Sequence, residues 1–283
     1  MNYTKPQIII VVLLLTMFMS ACVSAPKAEA PRYEQHHYTF SVLLTPDQPK
    51  ASPHLEIGLS LIELKYSTEQ ARYLNNILYA GKTYNEYKDF VLTNQREVYR
   101  TAELAVSSTG DASPVSMNWK YRESIAIRNP QYQGIVIERE KEFYTGGAHG
   151  NYSKKYYVVD LDDQRVINIE NMFSDYRGEQ TRSLILGELR RYSGLLNNEP
   201  LSSGIFLTDD PDLSTNFFVT EDGVGLHWDT YEIAPYSEGN IEIILPWRVI
   251  RPLLVQSAVE TMAKFGINFF VPSESAVPIQ SAS

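Results

Sequence analysis

The chain has 283 residues, of which 43% are hydrophobic and 21% charged, and its formal net charge is −9. That length and apolar fraction suffice for one large or two smaller cored domains, and an acidic balance without a Lys/Arg cluster argues against a nucleic-acid partner. The single cysteine, Cys22, excludes an internal disulfide framework and a cysteine-ligated zinc site.

In chain order, Lys5 precedes an apolar run from Ile8 to Phe18 that is too short to span a bilayer comfortably. A basic start, a short apolar core and small residues before a processing point describe a secretory signal over residues 1–21. Met19-Ser20-Ala21-Cys22 resembles a bacterial lipobox, with Met in place of the usual Leu. That resemblance implies cleavage before Cys22, lipidation of its side chain and attachment to a membrane through the lipid. The alternative is an ordinary signal with an incidental cysteine. Residues 22–33 are Ala- and Pro-rich and read as a tether.

Alternation predicts strands at Tyr38–Leu44 and Leu55–Leu61, joined through Pro46–Pro53. Ser67-Thr68-Glu69-Gln70 and Thr83-Tyr84-Asn85-Glu86 read as capping boxes. They open helices reaching about Tyr79 and Leu104, with Gly81 between them. After a polar loop at Ser107–Pro114, strand patterns follow closely at Val115–Arg128, Gln133–Phe143, Tyr152–Leu161 and Arg165–Ile169. This succession predicts an antiparallel meander. Met172-Phe173 belongs to a helical turn, Gly178–Tyr192 to an amphipathic helix, and Leu195–Ser214 is broken by Pro200, Gly204 and Pro211. Three more strands are predicted at Phe217–Thr220, Val224–Trp228 and Ile241–Leu245. A helix then runs from Pro246 to about Phe265, with Val249, Leu253 and Leu254 toward the core. The fold class is therefore α+β: antiparallel sheets with packed helices, in two sequential subdomains at 34–130 and 131–266, followed by a tail at 267–283.

Three stretches carry a wider likeness: Tyr144-Thr145-Gly146-Gly147-Ala148-His149; Ile169-Glu170-Asn171-Met172-Phe173; and Phe217 to Val224 leading to Tyr231-Glu232-Ile233-Ala234-Pro235-Tyr236 and Ile244-Leu245-Pro246-Trp247. On these, residues 130 to 256 resemble the RsiV-type extracytoplasmic domain. That domain occurs in lysozyme-sensing anti-sigma factors, beside PdaC-type peptidoglycan deacetylase domains and in many bacterial lipoproteins. The resemblance implies an α+β fold and a place on the extracytoplasmic side of the bacterial envelope, on the periplasmic or surface face. It also implies a lysozyme-like protein or peptidoglycan as partner. The anti-sigma members carry a cytoplasmic sigma-binding segment before the apolar run, whereas here only Met1 to Gln7 precede it.

Among polar residues, His149 sits in a glycine-rich connection where Gly146, Gly147 and Gly150 supply backbone freedom; it could be a base, a metal ligand or a binding contact, although a lone His in such a turn more often bonds backbone or packs. Nothing near it completes a nucleophilic triad, no H-E-x-x-H spacing exists, and the adjacent His36 and His37 must point to opposite faces of a strand. Asp162-Asp163 and Asp209-Asp210 lie in turn contexts that suit Asp for backbone reasons. No cofactor or metal is expected. Tyr231 to Tyr236 sets two aromatics and a carboxylate between strands, which suits a protein or glycan contact or, as the structural alternative, a buried connection with Tyr hydroxyls bonded to backbone. If the two loops meet, Tyr144, Gly146, Gly147, His149, Tyr231, Glu232 and Tyr236 form the binding site. The expected function is a lipid-anchored envelope binding module. The alternatives at this point are a hydrolase of envelope glycans or peptides and a structural lipoprotein of envelope assembly.

Overall fold

A computed structural model describes residues 32–43, 54–65, 69–109, 118–129 and 132–269. The lipobox with Cys22, the Pro46–Pro53 connection and the residue Ser67 of the first capping box lie outside them, as does everything from Pro272 on.

Six strands form one sheet in chain order: β1 (Tyr33–Leu43), β2 (His54–Leu64), β3 (Trp119–Arg128), β4 (Gly134–Tyr144), β5 (Asn151–Asp160) and β6 (Arg165–Val166). All neighbours are antiparallel except β2 and β3, which run parallel. A parallel pair needs a crossover, and here it is the helical hairpin of α1 (Glu69–Tyr79) and α2 (Tyr84–Thr109). The second capping box forms as read: Thr83 Oγ1 accepts from Glu86 N at 3.2 Å, and Glu86 Oε2 accepts from Thr83 N at 2.8 Å.

The period-2 pattern decides which face each side chain joins. On β2, Leu55, Ile57, Leu59 and Leu61 are buried under the helices with Leu74, Leu78 and Val91. On β4 and β5 the sheet is covered on both sides. Ile135, Ile137 and Val159 join the helix-side core, while Val136, Tyr156 and Val158 join a second core. The second core is closed by a three-stranded antiparallel sheet of β7 (Phe217–Val219), β8 (Gly223–Trp228) and β9 (Ile241–Pro246), with α3 (Glu179–Tyr192) supplying Ile185 and Leu189. The two sequential subdomains thus share the six-stranded sheet, because β3 pairs with β4 from Lys120–Tyr144 to Arg128–Val136.

The last helix departs from expectation. It is interrupted into α4 (Trp247–Ile250), a 3₁₀ turn at Arg251–Leu253, α5 (Gln256–Met262) and a final 3₁₀ turn. Pro252 cannot donate a backbone hydrogen bond. The freed segment instead bonds to the 172–174 stretch, through Ser174 N to Leu253 O and Val255 N to Met172 O. Val249, in α4, is exposed rather than core-facing. Ile267 is buried and Phe269 packs edge-on against Trp247 at 5.3 Å.

The joint between the two sheets is made by side chains. Asn216 Oδ1 accepts from Tyr156 N at 2.9 Å, its Nδ2 donates to Lys154 O at 2.6 Å, and Asp229 Oδ1 accepts from Lys154 N at 2.9 Å. These groups satisfy the β5 edge that faces away from β4. Replacing Asn216 with Ala should orphan one donor and one acceptor, at about 1–3 kcal/mol per buried group, toward the lower end because the joint is half-buried. Urea unfolding should show a lowered midpoint at unchanged m-value.

Candidate functional site

The glycine-rich connection between β4 and β5 and the segment after β8 do meet. His149 stacks on Tyr236 with ring centroids 4.0 Å apart and planes 22° from parallel. Tyr231 lies 6.3 Å from His149 and 5.7 Å from Tyr236. Gly146 and Gly147 take φ of +89° and +104°, which a side chain would resist and which turns the chain so that His149 faces the opposing segment. Tyr231 is a non-glycine residue at φ +70°, an unusual conformation for a bulky side chain. It is held by Tyr231 N to Ala234 O and Glu232 N to Asp229 O, and the residue is 56% exposed.

Not every expected residue joins this platform. Tyr144 bonds back within its own loop, its hydroxyl donating to Gly147 O at 3.0 Å. Glu232 turns its carboxylate to accept from Asp229 N at 2.7 Å. Both residues shape the turns that present the rings. Glu232 also lines a cleft of about 540 Å³ running between the edge of β5 and the 212–216 segment, with Lys154, Lys155, Asp212, Asn216 and Asp229 on its walls. Tyr231 is the chain neighbour of Glu232, so the platform borders that cleft at its rim although none of the three rings lines it.

Behind the cleft lies a charge chain that sequence reasoning did not single out. His227 is fully buried; its Nε2 pairs with Asp229 Oδ1 at 2.9 Å and its Nδ1 with Glu242 Oε1 at 2.8 Å. Tyr156 Oη donates to Glu242 at 3.0 Å. Lys154 Nζ lies 3.8 Å from Glu242 and 2.9 Å from Glu140, which also accepts from Tyr152 Oη at 2.6 Å. The only hint available beforehand was a His in a strand otherwise made of Gly, Val, Leu and Trp. Its partner Glu242 is defined by strand register, where His227 faces Glu242 across β8 and β9.

Burial alone would push the His227 pKa down, but the bonds and charges of Asp229 and Glu242 outweigh it and the net shift is upward from 6.5. The His227 bond lowers Glu242 against its own desolvation. Carboxylates on both ring nitrogens favour an imidazolium and leave no free lone pair to take a proton, so His227 serves as a buried cation. On the helix side a second buried pair, Glu123 and Arg139 at 2.5 Å, takes hydroxyls from Tyr87 and Tyr121 and belongs to the core. Of the acidic pairs, Asp163 bonds Lys264 beside buried Asp160, and Asp209 accepts from Ser202 N at 2.8 Å, in keeping with turn roles. His36 and His37 point to opposite faces of β1. His36 is bonded to Glu63 and stacked on Tyr84, while His37 faces the other way. Glu34, His36 and Glu63 bring potential ligand atoms within 4.8 Å of one another. The Lys65 ammonium already sits 2.8 Å from both carboxylates, so the donor set is met by a resident cation.

Residues 170–248 match the family DUF3298, described as a protein of unknown function. The matched span carries β7–β9, His227, Asp229 and the Tyr231–Tyr236 turn. The fold is similar to that of a DUF3298-family protein from Bacteroides fragilis, at 18% identity and a TM-score of 0.73 over 85% of this chain and 99% of that one. It is also similar to a DUF3298-family protein from Pseudomonas aeruginosa, at 16% identity and a TM-score of 0.54 over 81% and 97% of the two chains. No curated relative matches the chain. Among the described residues, no helix is long and apolar enough to cross a membrane.

The His227 clamp has a pH signature. A group whose folded pKa is raised contributes stability that is present below its unfolded value and is lost as pH rises through the folded one. Thermal melts should therefore show stability falling as pH climbs from about 6.5. A His227→Gln protein, less stable at low pH, should lack that alkaline limb.

Proposed function

We propose that the protein is a lipid-anchored binding module of the bacterial cell envelope that recognises the glycan of the cell wall. The observation that carries this reading is the meeting of His149, Tyr231 and Tyr236 at the rim of a polar cleft. Sugars offer apolar C–H faces to aromatic rings and rings of hydroxyls to amides, carboxylates and ammonium groups. An exposed aromatic platform beside Lys154, Asn216 and Asp229 suits both needs. Binding rather than hydrolysis is supported by the state of the acids: Asp229 and Glu232 accept backbone N–H groups and Asp229 also holds His227. A general acid or base has to be free to exchange its proton with substrate.

The RsiV-type likeness of the 144–149, 169–173 and 217–247 stretches supports an extracytoplasmic setting, and the lipobox-like Met19–Cys22 supports a lipid anchor on Cys22. Metabolic labelling with an alkyne fatty acid should tag the protein in bacteria, and Cys22→Ser should abolish the tag and shift the protein out of the membrane fraction. Labelling that survives this substitution would refute the anchor.

A net charge of −9 favours a second reading, a cationic lysozyme-like protein drawn in by its charge. Calorimetry with soluble wall oligosaccharides and with lysozyme, each at low and moderate salt, separates the two. The glycan reading expects saturable, salt-insensitive saccharide binding that weakens about tenfold in Tyr236→Ala, equivalent to about 1.4 kcal/mol. Steeply salt-dependent binding of lysozyme alone would favour the protein partner, and no binding of either would remove the specific claim.

A further inference from the structure

The face of the six-stranded sheet opposite the helices is only partly covered by the three-stranded sheet. Over β1 to β4 it forms a second concavity of about 320 Å³. The alternation that buries Leu55, Ile57 and Leu59 leaves Glu56, Gly58 and Ser60 on this open face, with Arg122 and Ser124 of β3 beside them. Gly58 opens a trough in the floor: a Cβ there would meet nothing nearer than Arg122 Cγ at 3.4 Å. The Arg122 guanidinium donates to Glu56 and Glu142 at 3.5 Å each, long bonds that engage two of its five N–H groups and leave the others to meet a ligand. Tyr152 and Glu140 line the groove at the β5 end.

The groove abuts the cleft. Tyr152 and Lys154 stand on the same face of β5, and Glu140 binds both. Tyr152 and Glu140 line the groove, whereas Lys154 lines the cleft. The two concavities therefore meet at the Glu140–Lys154 pair, which lies along the border of both. From β1 to β5 the floor crosses four inter-strand steps, about 19 Å, which exceeds the reach of a single sugar ring.

We propose that the groove and the cleft form one continuous track for an extended, polyhydroxylated polymer, so that the ligand is a polysaccharide chain several units long. This rests on the glycan reading above. The floor mixes donors and acceptors of fixed geometry: guanidinium, carboxylates, hydroxyls and the His37 imidazole. Vicinal hydroxyls, which both donate and accept, can use all of them. A cationic ligand would contend with Arg122 and Lys154, and an anionic one with Glu56, Glu140 and Glu142.

The test is calorimetry on the full chain with N-acetylglucosamine oligosaccharides of increasing length. Affinity should rise at least about tenfold, about 1.4 kcal/mol, from the shortest to the longest. Gly58→Gln, which fills the trough, and Arg122→Ala should each return the longest oligosaccharide to the affinity of the shortest. Binding of the shortest, and the melting temperature, should stay unchanged. Affinity independent of length, or unaltered in both variants, would overturn the track. If Tyr236→Ala removes binding at all lengths while the groove variants do nothing, the track fails and the platform reading stands. If oligosaccharides of every length fail to bind, both fall together.

Discussion

The arrangement depends on how the exposed edge of β5 is satisfied. A strand edge with unpaired N–H and C=O groups needs another strand, a solvent shell or substitutes. Here the Asn216 amide substitutes for a neighbouring strand, matching an acceptor to Tyr156 N and a donor to Lys154 O, and Asp229 takes the next N–H. Both residues flank strands of the smaller sheet, so the bonds that satisfy β5 also dock one sheet on the other. Because the contact is made by side chains rather than a continuous ladder, it leaves room between β5 and the 212–216 segment. That room is the cleft.

The polar chain behind the cleft follows from the same docking. Once β8 and β9 lie against β5, His227 has no route to water and is stabilised by the carboxylates on either side of it. Buried ion pairs contribute little net stability relative to apolar packing, but they penalise misalignment strongly because a lone buried charge is costly. Asp229 is common to the strand-edge bond, the His227 clamp and the turn that presents Tyr231. A shift of the smaller sheet would break all three together. This ties the placement of the aromatic platform to the registry of the core.

The Glu123–Arg139 pair on the helix side acts in a comparable way for the other core. Tyr87 from α2 and Tyr121 from β3 donate to Glu123, and Arg139 from β4 reaches the Leu78 carbonyl at the end of α1. The crossover helices are thereby fixed at a defined position over the parallel β2–β3 step, and the open face on the far side is left free of helices.

Local pattern alone determined a good deal. Local pattern located the nine strands of the described residues, although β1 begins at Tyr33 rather than Tyr38; the Thr83–Glu86 box opened α2, and the glycines at 146 and 147 marked a turn of special geometry, because period, capping and φ are properties of neighbouring residues. The motifs around His149 and Tyr231–Tyr236 were visible as unusual loops, and Tyr144 and Glu232 stood out with them. Tertiary structure alone decided that His149 stacks on Tyr236 while Tyr144 and Glu232 turn back on their own chain, since loop-to-loop distance is set by sheet docking. It decided that β2 and β3 run parallel, that the last helix breaks where Pro252 hands its neighbours to the 172–174 stretch, and that Lys154, Asn216, His227, Asp229 and Glu242 converge. Those residues are up to 88 positions apart (154 to 242), and they meet only through strand register and the packing of one sheet on another.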